Sequence, residues 1–341
     1  MTKAENSKPK RTSVEEVGKI NLIKSLLSKA QGGIPESVRY GGSDDHLWIN
    51  SHRLLLEGLD FDLVFTPLKH LGYKAISCLL GPIYAQNHTP DNISVNLGLS
   101  KKFFVEDIEE LWMGMVAAFE EHKVSSVQLD LLPSLTGLTI SMSSQGKQSR
   151  ELFVQTPKPV SGDLICITGN LGAAYMGLQL LEREKRLFSG NSNVQPNLDS
   201  YKFILKSYLN PQINTSVIEL LNQNSIIPSD GIFITNGLAD SVKRVCRKSG
   251  LGAKIFLDKI PIASQTFAMA EELNIDAITA ALNGGDDYQL LYTIPLSKYE
   301  SVQKEIPQLD IIGHLCSAES GTKLITPDGA ELELKAQGWS E

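Results

Sequence analysis

The sequence contains little cysteine, and its spacing does not suggest metal binding or redox chemistry. Its 341 residues include 4 cysteines, each 70 or more positions from the next. Zinc sites and dithiols use short paired spacings, so four isolated thiols in a reducing cytoplasm are expected. The sequence has no run of 18 apolar residues and no apolar stretch typical of a signal peptide near its start. These absences predict a cytoplasmic protein that does not span a membrane.

Positive charge is also scarce relative to negative charge. Lysine and arginine total 32 against 39 acidic residues, which gives a formal net charge of -7. Nucleic-acid binders usually carry a basic balance, so this class is disfavoured. Any phosphate site must rely on local cations or on backbone N–H groups. No spacing typical of a zinc peptidase and no Ser-His-acid or Cys-His set can be assembled, so nucleophilic catalysis has no support.

The residues that are present predict an α/β protein of two domains. Hydrophobic residues make up 42% and charged residues 21%, as in ordinary globular chains. Pro157-Lys158-Pro159 marks a boundary, since prolines restrict the backbone as in a linker. Residues 13–156 are therefore assigned to an N-terminal domain and residues 157–341 to a C-terminal domain. Apolar periodicity predicts helices over 67–80 (leading into a strand), 106–122 and 238–249, a buried strand at 54–56, and strands at 163–168 and 288–293.

Three acidic motifs are candidate metal ligands. Gly42-Ser43-Asp44-Asp45 and Gly284-Gly285-Asp286-Asp287 each place paired acids after glycines. Such acids are more often solvated, and a metal role requires further oxygen ligands. Asp130 stands among leucines, which is unusual unless the carboxylate is paired or bound to a cation. Spacing alone leaves both interpretations open for each motif.

A glycine-rich turn follows the strand predicted at 163–168. Its sequence is Gly169-Asn170-Leu171-Gly172. Such a turn can hold a phosphate at a helix N-terminus, but this one lacks the lysine of a P-loop and the spacing of a dinucleotide fingerprint. A plain strand-to-helix turn is favoured.

The order of these motifs resembles the thiamine-monophosphate kinase family, which is related to aminoimidazole ribonucleotide synthetase and selenophosphate synthetase. The resemblance extends over about residues 13–339. It is carried by Gly42-Ser43-Asp44-Asp45, Leu56-Glu57-Gly58, residues 67–75, Gly162-Asp163-Leu164-Ile165, residues 169–173, residues 283–288 and Gly338-Trp339.

The resemblance implies a fold and a reaction. In the family, an N-terminal sheet-plus-helices domain binds nucleotide and pairs with its twin in a homodimer. A C-terminal aminoimidazole ribonucleotide synthetase-like domain closes the cleft that holds ATP. The family enzyme is a transferase that moves the γ-phosphate of ATP onto thiamine monophosphate to give thiamine diphosphate. Two polyanions must meet, so aspartate-bound Mg²⁺ ions neutralise their charge.

Several family aspartates are replaced in this sequence. By the resemblance, this sequence retains an acid at two of the family's six acidic ligand positions, as Asp44 and Asp130. The other four are occupied by Arg53, Pro82, Phe233 and Asn236. Asp60 falls where the family has a histidine near the substrate. The resemblance therefore implies Asp44 and Asp130 as metal ligands and no confident catalytic residue. It further implies nucleotide or phosphate binding by Arg53, Asp130, Thr235 and Asn236, and substrate binding by Asp60, Asp286, Asp287 and Trp339.

Arg53 reverses the sign of a metal-ligand position. A guanidinium binds phosphate bidentately, so we hypothesise that Arg53 replaces a magnesium ion and permits binding without turnover. The alternative is a structural ion pair with Asp44, Asp45 or Asp60. Three functions stay open: a catalytically impaired pseudoenzyme that binds ligand or regulates, an active kinase with a rebuilt, metal-poor site, and a non-catalytic dimer partner of an intact paralogue.

Overall fold

The computed structural model describes residues 17, 21, 25, 41–42, 45–190 and 198–337. Two predicted site residues, Asp44 and Trp339, lie outside the described residues.

The first part of the chain contains β1 (Gly41–Gly42), β2 (His46–Leu56), α1 (Leu68–Ala85), β3 (Thr89–Leu99), α2 (Val105–Glu121), β4 (Ser126–Pro133), β5 (Thr139–Ser149) and α3 (Arg150–Gln155). The second part contains β6 (Leu164–Thr168), α4 (Ala173–Gly190), α5 (Lys202–Leu209), α6 (Ser216–Gln223), β7 (Asp230–Ile234), α7 (Leu238–Ser249), β8 (Gly252–Phe256), α8 (Ser264–Leu273), α9 (Ala277–Asn283), β9 (Gln289–Ile294), α10 (Tyr299–Glu305), β10 (Leu309–Cys316), β11 (Thr322–Ile325) and β12 (Glu331–Glu333).

The first part forms a five-stranded sheet in the order β1-β2-β5-β3-β4. Strands β3 and β4 run parallel because α2 connects them, whereas the other pairs are antiparallel. Alternate residues of β3 (Ile93, Val95 and Leu97) are buried in the core beneath the helices. This alternation is the two-residue period expected of a sheet with one covered face.

Two glycines let helices α1 and α2 approach closely. A side chain at Gly72 would overlap the backbone carbonyl of Leu111, and one at Gly114 would overlap that of Lys69. Because both positions lack a Cβ, the two helices pack backbone against backbone over the sheet. Gly72, which lies within residues 67–75 that carry the resemblance, is therefore a packing feature in this structure.

The second part forms a seven-stranded sheet in the order β12-β11-β8-β10-β6-β9-β7. All pairs are antiparallel except β8 with β11. The described strands of the first sheet end at Ser149, and those of the second begin at Leu164. The predicted mixed α/β fold class is confirmed. None of the described helices combines the length and apolar character needed to cross a bilayer.

The C-terminal end of α1 joins the two sheets. The hydroxyl of Tyr292 on β9 donates a hydrogen bond to the carbonyl of Tyr84, 3.3 Å away. Gly231 on β7 lies against the carbonyl of Ala85, where a side chain would not fit. One hydrophobic core consequently contains residues from both halves, and the space beside this junction forms the clefts described below.

Two local predictions are wrong. Residues 81–82 lie inside α1, not at a strand end, because Leu79, Leu80 and Ile83 around them are fully buried and hold the last helical turn in place despite Pro82. Residues 54–56 do form a strand, but they are not buried, and Leu54 is 57% exposed. They belong to the end of β2, which borders an open cleft.

Candidate functional site

A first cleft of about 500 Å³ lies between the two halves. The end of β2, the middle of α1, the loop after β7 and the loop before β9 supply its walls. It brings together five of the nine residues predicted as ligands: Arg53, Asp60, Thr235, Asn236 and Asp286. Residues far apart in sequence thus line one cleft.

A second cleft of about 610 Å³ adjoins the first. It lies between β2, the end of α1, β7 and α7. The two clefts share the lining residues Arg53, Thr235, Asp240, Arg244 and Arg247. They form one continuous site whose shared wall is rich in arginine.

Arg53 reaches into both clefts. Its Nε donates to the Sγ of Cys78 at 3.3 Å, and its Nη1 donates to the carbonyl of His52 at 3.1 Å. Among the described residues, no carboxylate forms an ion pair with this guanidinium. The alternative pairing with Asp45 or Asp60 is therefore not formed, while Asp44 lies outside the described residues.

Sequence reasoning missed three cations that line the second cleft together with Arg53. Arg244, Arg247 and Lys248 line the second cleft from one face of helix α7. Their spacing of three and four residues places them on the same side of the helix. That spacing is visible in the sequence, but a charged helix face usually indicates a solvated surface.

Asp286 forms an ion pair with Lys74 across the junction. The Lys74 Nζ lies 2.8 Å from Asp286 Oδ2 and 3.8 Å from the centre of the Tyr208 ring. Lys74 is buried, which strengthens both interactions relative to water. Asp286 therefore lines the first cleft with its charge already compensated.

Asp287 lines neither of these two clefts. Its Oδ1 accepts a hydrogen bond from the N–H of Gly172 at 2.8 Å, in the turn that begins α4. Burial raises the pKa of this carboxyl well above its ordinary value. The glycine-rich turn thus gives one of its N–H groups to a protein carboxylate, which favours the plain-turn interpretation.

Other predicted residues make local backbone contacts. The carboxylate of Asp60 accepts the N–H of Leu56 at 2.8 Å. The carbonyl of Thr235 accepts the N–H of Asp286 at 2.8 Å, and Asn236 donates to Asp240 at 3.4 Å. These contacts fix the loops that border the first cleft.

Asp130 lies on the exposed edge strand β4. Its carboxylate accepts the N–H of Leu131 at 2.9 Å, and it lines neither cleft. The structure therefore does not bring Asp130 together with the other predicted ligands, and a metal role for it stays a prediction.

The residues that the structure describes do not fit a set of magnesium ions. In the described part of the chain, no group of three or more His, Cys, Asp or Glu side chains could hold a metal. Phe233 is buried, and its ring packs 5.1 Å from that of Tyr288 and against Gly81, next to Pro82. Mg²⁺ requires near-octahedral oxygen ligands. The apolar side chains of Pro82 and Phe233 occupy two of the positions where the resemblance places carboxylates.

Comparisons with known proteins identify homologues. No family model matches the sequence. The chain is 29% identical over 282 residues to a thiamine-monophosphate kinase of Buchnera aphidicola from Schizaphis graminum, covering 80% of each chain. It is 27% identical over 327 residues to that of Aquifex aeolicus, covering 95% of this chain and 97% of the relative. The structure of ThiL from Aquifex aeolicus complexed with AMPPCP and TMP matches with a TM-score of 0.77 at 22% identity, covering 95% of this chain and 98% of that one.

The two sheets, the junction through α1 and the cleft beside it form an aminoimidazole ribonucleotide synthetase-like fold. The structural similarity supports that fold over nearly the whole chain. In sequence, the chain is similar to the thiamine-monophosphate kinases.

Proposed function

We propose that this chain is a thiamine-monophosphate kinase-like protein that binds a phosphorylated ligand, with thiamine monophosphate and ATP as candidates, and that is catalytically impaired. The observation that carries the proposal is that cations and apolar side chains line the cleft where the resemblance places metal-binding aspartates. Arg53 and the cations of α7 line the site, while Pro82 and Phe233 occupy positions that the resemblance assigns to metal-binding aspartates.

Phosphoryl transfer depends on positioning and charge neutralisation more than on covalent chemistry. Arginines neutralise charge, but they do not bridge two phosphate groups as a shared metal ion does. Loss of one charge-stabilising group costs on the order of 10²–10³ in rate. The four replaced positions would therefore leave binding intact and turnover greatly reduced, although such losses are not additive.

A homodimer is part of the proposal. Strand β4 is an edge of the first sheet, and it exposes Leu129, Leu131 and Leu132 by 45–52%. An apolar edge strand of this kind is suited to pairing with a second chain. Light scattering of the purified protein should give twice the chain mass, and Leu131→Lys should shift the mass toward a monomer. A monomeric parent protein would contradict this part of the proposal.

A turnover assay tests the impaired activity. The protein, ATP, Mg²⁺ and thiamine monophosphate are incubated, and thiamine diphosphate is measured beside the Aquifex aeolicus relative as a positive control. We expect formation at least 10³-fold slower than in the control. Comparable turnover would favour the alternative of an active kinase with a rebuilt site.

A revertant tests whether the loss of the metal-binding aspartates causes the low turnover. It carries Arg53→Asp, Pro82→Asp, Phe233→Asp and Asn236→Asp, and its folding is checked by circular dichroism. A folded revertant with increased turnover supports the proposal. The third possibility, a non-catalytic partner of an intact paralogue, predicts mixed dimers when both chains are co-expressed.

A further inference from the structure

We propose that the second cleft binds the phosphate group of an organic ligand directly through arginine and lysine, without a divalent cation. This inference rests on the proposed function, because it takes the ligand to be phosphorylated. Beyond the proposed function, it names the residues that bind the phosphate group and states that this binding does not need a metal ion.

The positive charge comes from two different elements of the fold. Arg53 projects from β2, and Arg244, Arg247 and Lys248 project from α7. The whole chain has a formal net charge of -7. Four cations in one cleft are therefore a local concentration that the overall composition does not produce.

Two buried acids form ion pairs with this basic face. Asp240 lies 2.8 Å from the Nε of Arg244, and Asp230 lies 2.6 Å from the Nζ of Lys248. Both carboxylates are buried, whereas the Arg244 and Lys248 side chains are 46% and 39% exposed. Asp240 is the only described acid that lines the second cleft, so the lining keeps an excess of positive charge.

A simpler role does not account for all four cations. Arg247 and Lys248 lie in the last turn of α7, where they also interact favourably with the helix dipole. Arg244 is further inside the helix, and Arg53 is on a different element. Convergence of the four on one cleft is what a phosphate ligand would require, since guanidinium groups bind phosphate oxygens in pairs.

The rest of the cleft indicates the kind of molecule that carries the phosphate. Its other walls are largely apolar and include Ile49, Pro82, Ala85, Ile232 and Phe233. Apolar walls with a few convergent polar groups are typical of small-molecule sites. A ligand with an apolar or aromatic part and a phosphate group matches both regions.

The same cations disfavour a metal-bridged complex. A divalent cation in this cleft would be repelled by Arg53 and the three cations of α7. Where the family aspartates are lost, direct contact with guanidinium replaces neutralisation by magnesium. The affinity for a phosphorylated ligand should therefore not depend on magnesium.

Calorimetric titration with thiamine monophosphate tests the inference. The full-length protein is titrated once in excess EDTA and once in excess Mg²⁺, with unphosphorylated thiamine as the matched ligand. We expect dissociation constants within about twofold of each other in the two buffers, and binding of thiamine at least about tenfold weaker, as loss of charged hydrogen bonds predicts.

Variants locate the binding site. Arg247→Ala and Arg53→Ala should each weaken binding in EDTA by about tenfold or more. Lys243→Ala is the matched control, because Lys243 lies on the same helix and lines neither cleft; its affinity should be unchanged. Unchanged affinity in both arginine variants would overturn the inference.

The outcomes distinguish this inference from the proposed function. Binding that requires Mg²⁺ would overturn the inference and leave the proposed function standing. Absence of binding in either buffer, repeated with ATP, would overturn both. Metal-independent binding that is lost in Arg247→Ala and kept in Lys243→Ala would support both.

Discussion

The ring of Phe233 packs directly against the backbone of Gly81. A methyl group added at Gly81 would overlap the ring, and the ring also contacts Tyr288. Phe233 falls where the resemblance places an acid of the metal site, and Gly81 directly precedes Pro82, which falls at another of these positions. The place of a charged centre has become a small apolar contact between α1 and β7.

This contact predicts an unusual response to Gly81→Ala. Alanine normally stabilises a helix by up to about 1 kcal/mol relative to glycine. Here the methyl group would push against Phe233, so we expect a loss of about 1–3 kcal/mol in the free energy of unfolding, measured in urea.

The control is the same substitution in a Phe233→Ala background. There the methyl group has space, and Gly81→Ala should be neutral or stabilising. Equal effects in the two backgrounds would show that the two residues are not coupled.

Returning a carboxylate to position 233 should be costly. Phe233→Asp removes a buried ring and places a charge beside Tyr288 and Pro82, so we expect a loss of about 3–5 kcal/mol. Phe267→Asp is the surface control, because Phe267 is 50% exposed, and it should change stability by less than about 0.5 kcal/mol. A small effect of Phe233→Asp would argue that a cation is available there.

The ion pair of Lys74 with Asp286 should contribute more than a surface pair. Lys74 has only 9% of its side chain exposed, and Asp286 has 39%. Lys74→Ala should therefore cost about 1–3 kcal/mol, partly because Asp286 loses its partner. For comparison, removal of Lys102, which pairs with Glu57 and is 50% exposed, should cost less than about 1 kcal/mol. Equal costs would contradict a special role for the buried pair.

Buried histidine should make the protein sensitive to acid. Burial lowers the pKa of His122 below its ordinary value of 6.5, and its Nδ1 shares a hydrogen bond with the Tyr84 hydroxyl at 3.0 Å. The unfolded chain then takes up a proton before the folded chain does. Stability from this residue is complete above about pH 6.5 and is lost as the pH falls toward the lower folded pKa.

The measurement is the unfolding temperature between pH 7 and pH 5. His122→Gln should show a smaller decrease than the parent protein, because it removes the titrating group. His52→Gln serves as the control, since His52 is exposed, and should follow the parent. An identical decrease in all three proteins would assign the acid sensitivity to other residues.

Local sequence signals predicted much of the fold. The periodicity over 238–249 corresponds to helix α7, and that over 106–122 corresponds to helix α2. These elements depend on interactions between near neighbours, which a single sequence displays. The strand assigned to 54–56 was placed correctly but not its exposure, because exposure depends on what the other half of the chain covers.

The site could be predicted only in part. The resemblance indicated Arg53, Asp60, Thr235, Asn236 and Asp286, and these line the first cleft. The packing of Phe233 on Gly81 joins residues that are distant in sequence, and the basic face of α7 lines a cleft with Arg53, which is also distant in sequence. Their meaning depends on tertiary contacts, and no local pattern distinguishes a ligand-facing cation from a solvated one.

A crystal structure of the protein with thiamine monophosphate, grown in the presence of EDTA, tests the central claim most directly. We expect the phosphate to lie within hydrogen-bond distance of Arg53 and Arg247, with no metal between them. A second crystal with Mg²⁺ should show the same phosphate position. A phosphate held through magnesium, or bound away from these arginines, would contradict the claim that guanidinium groups have replaced the metal.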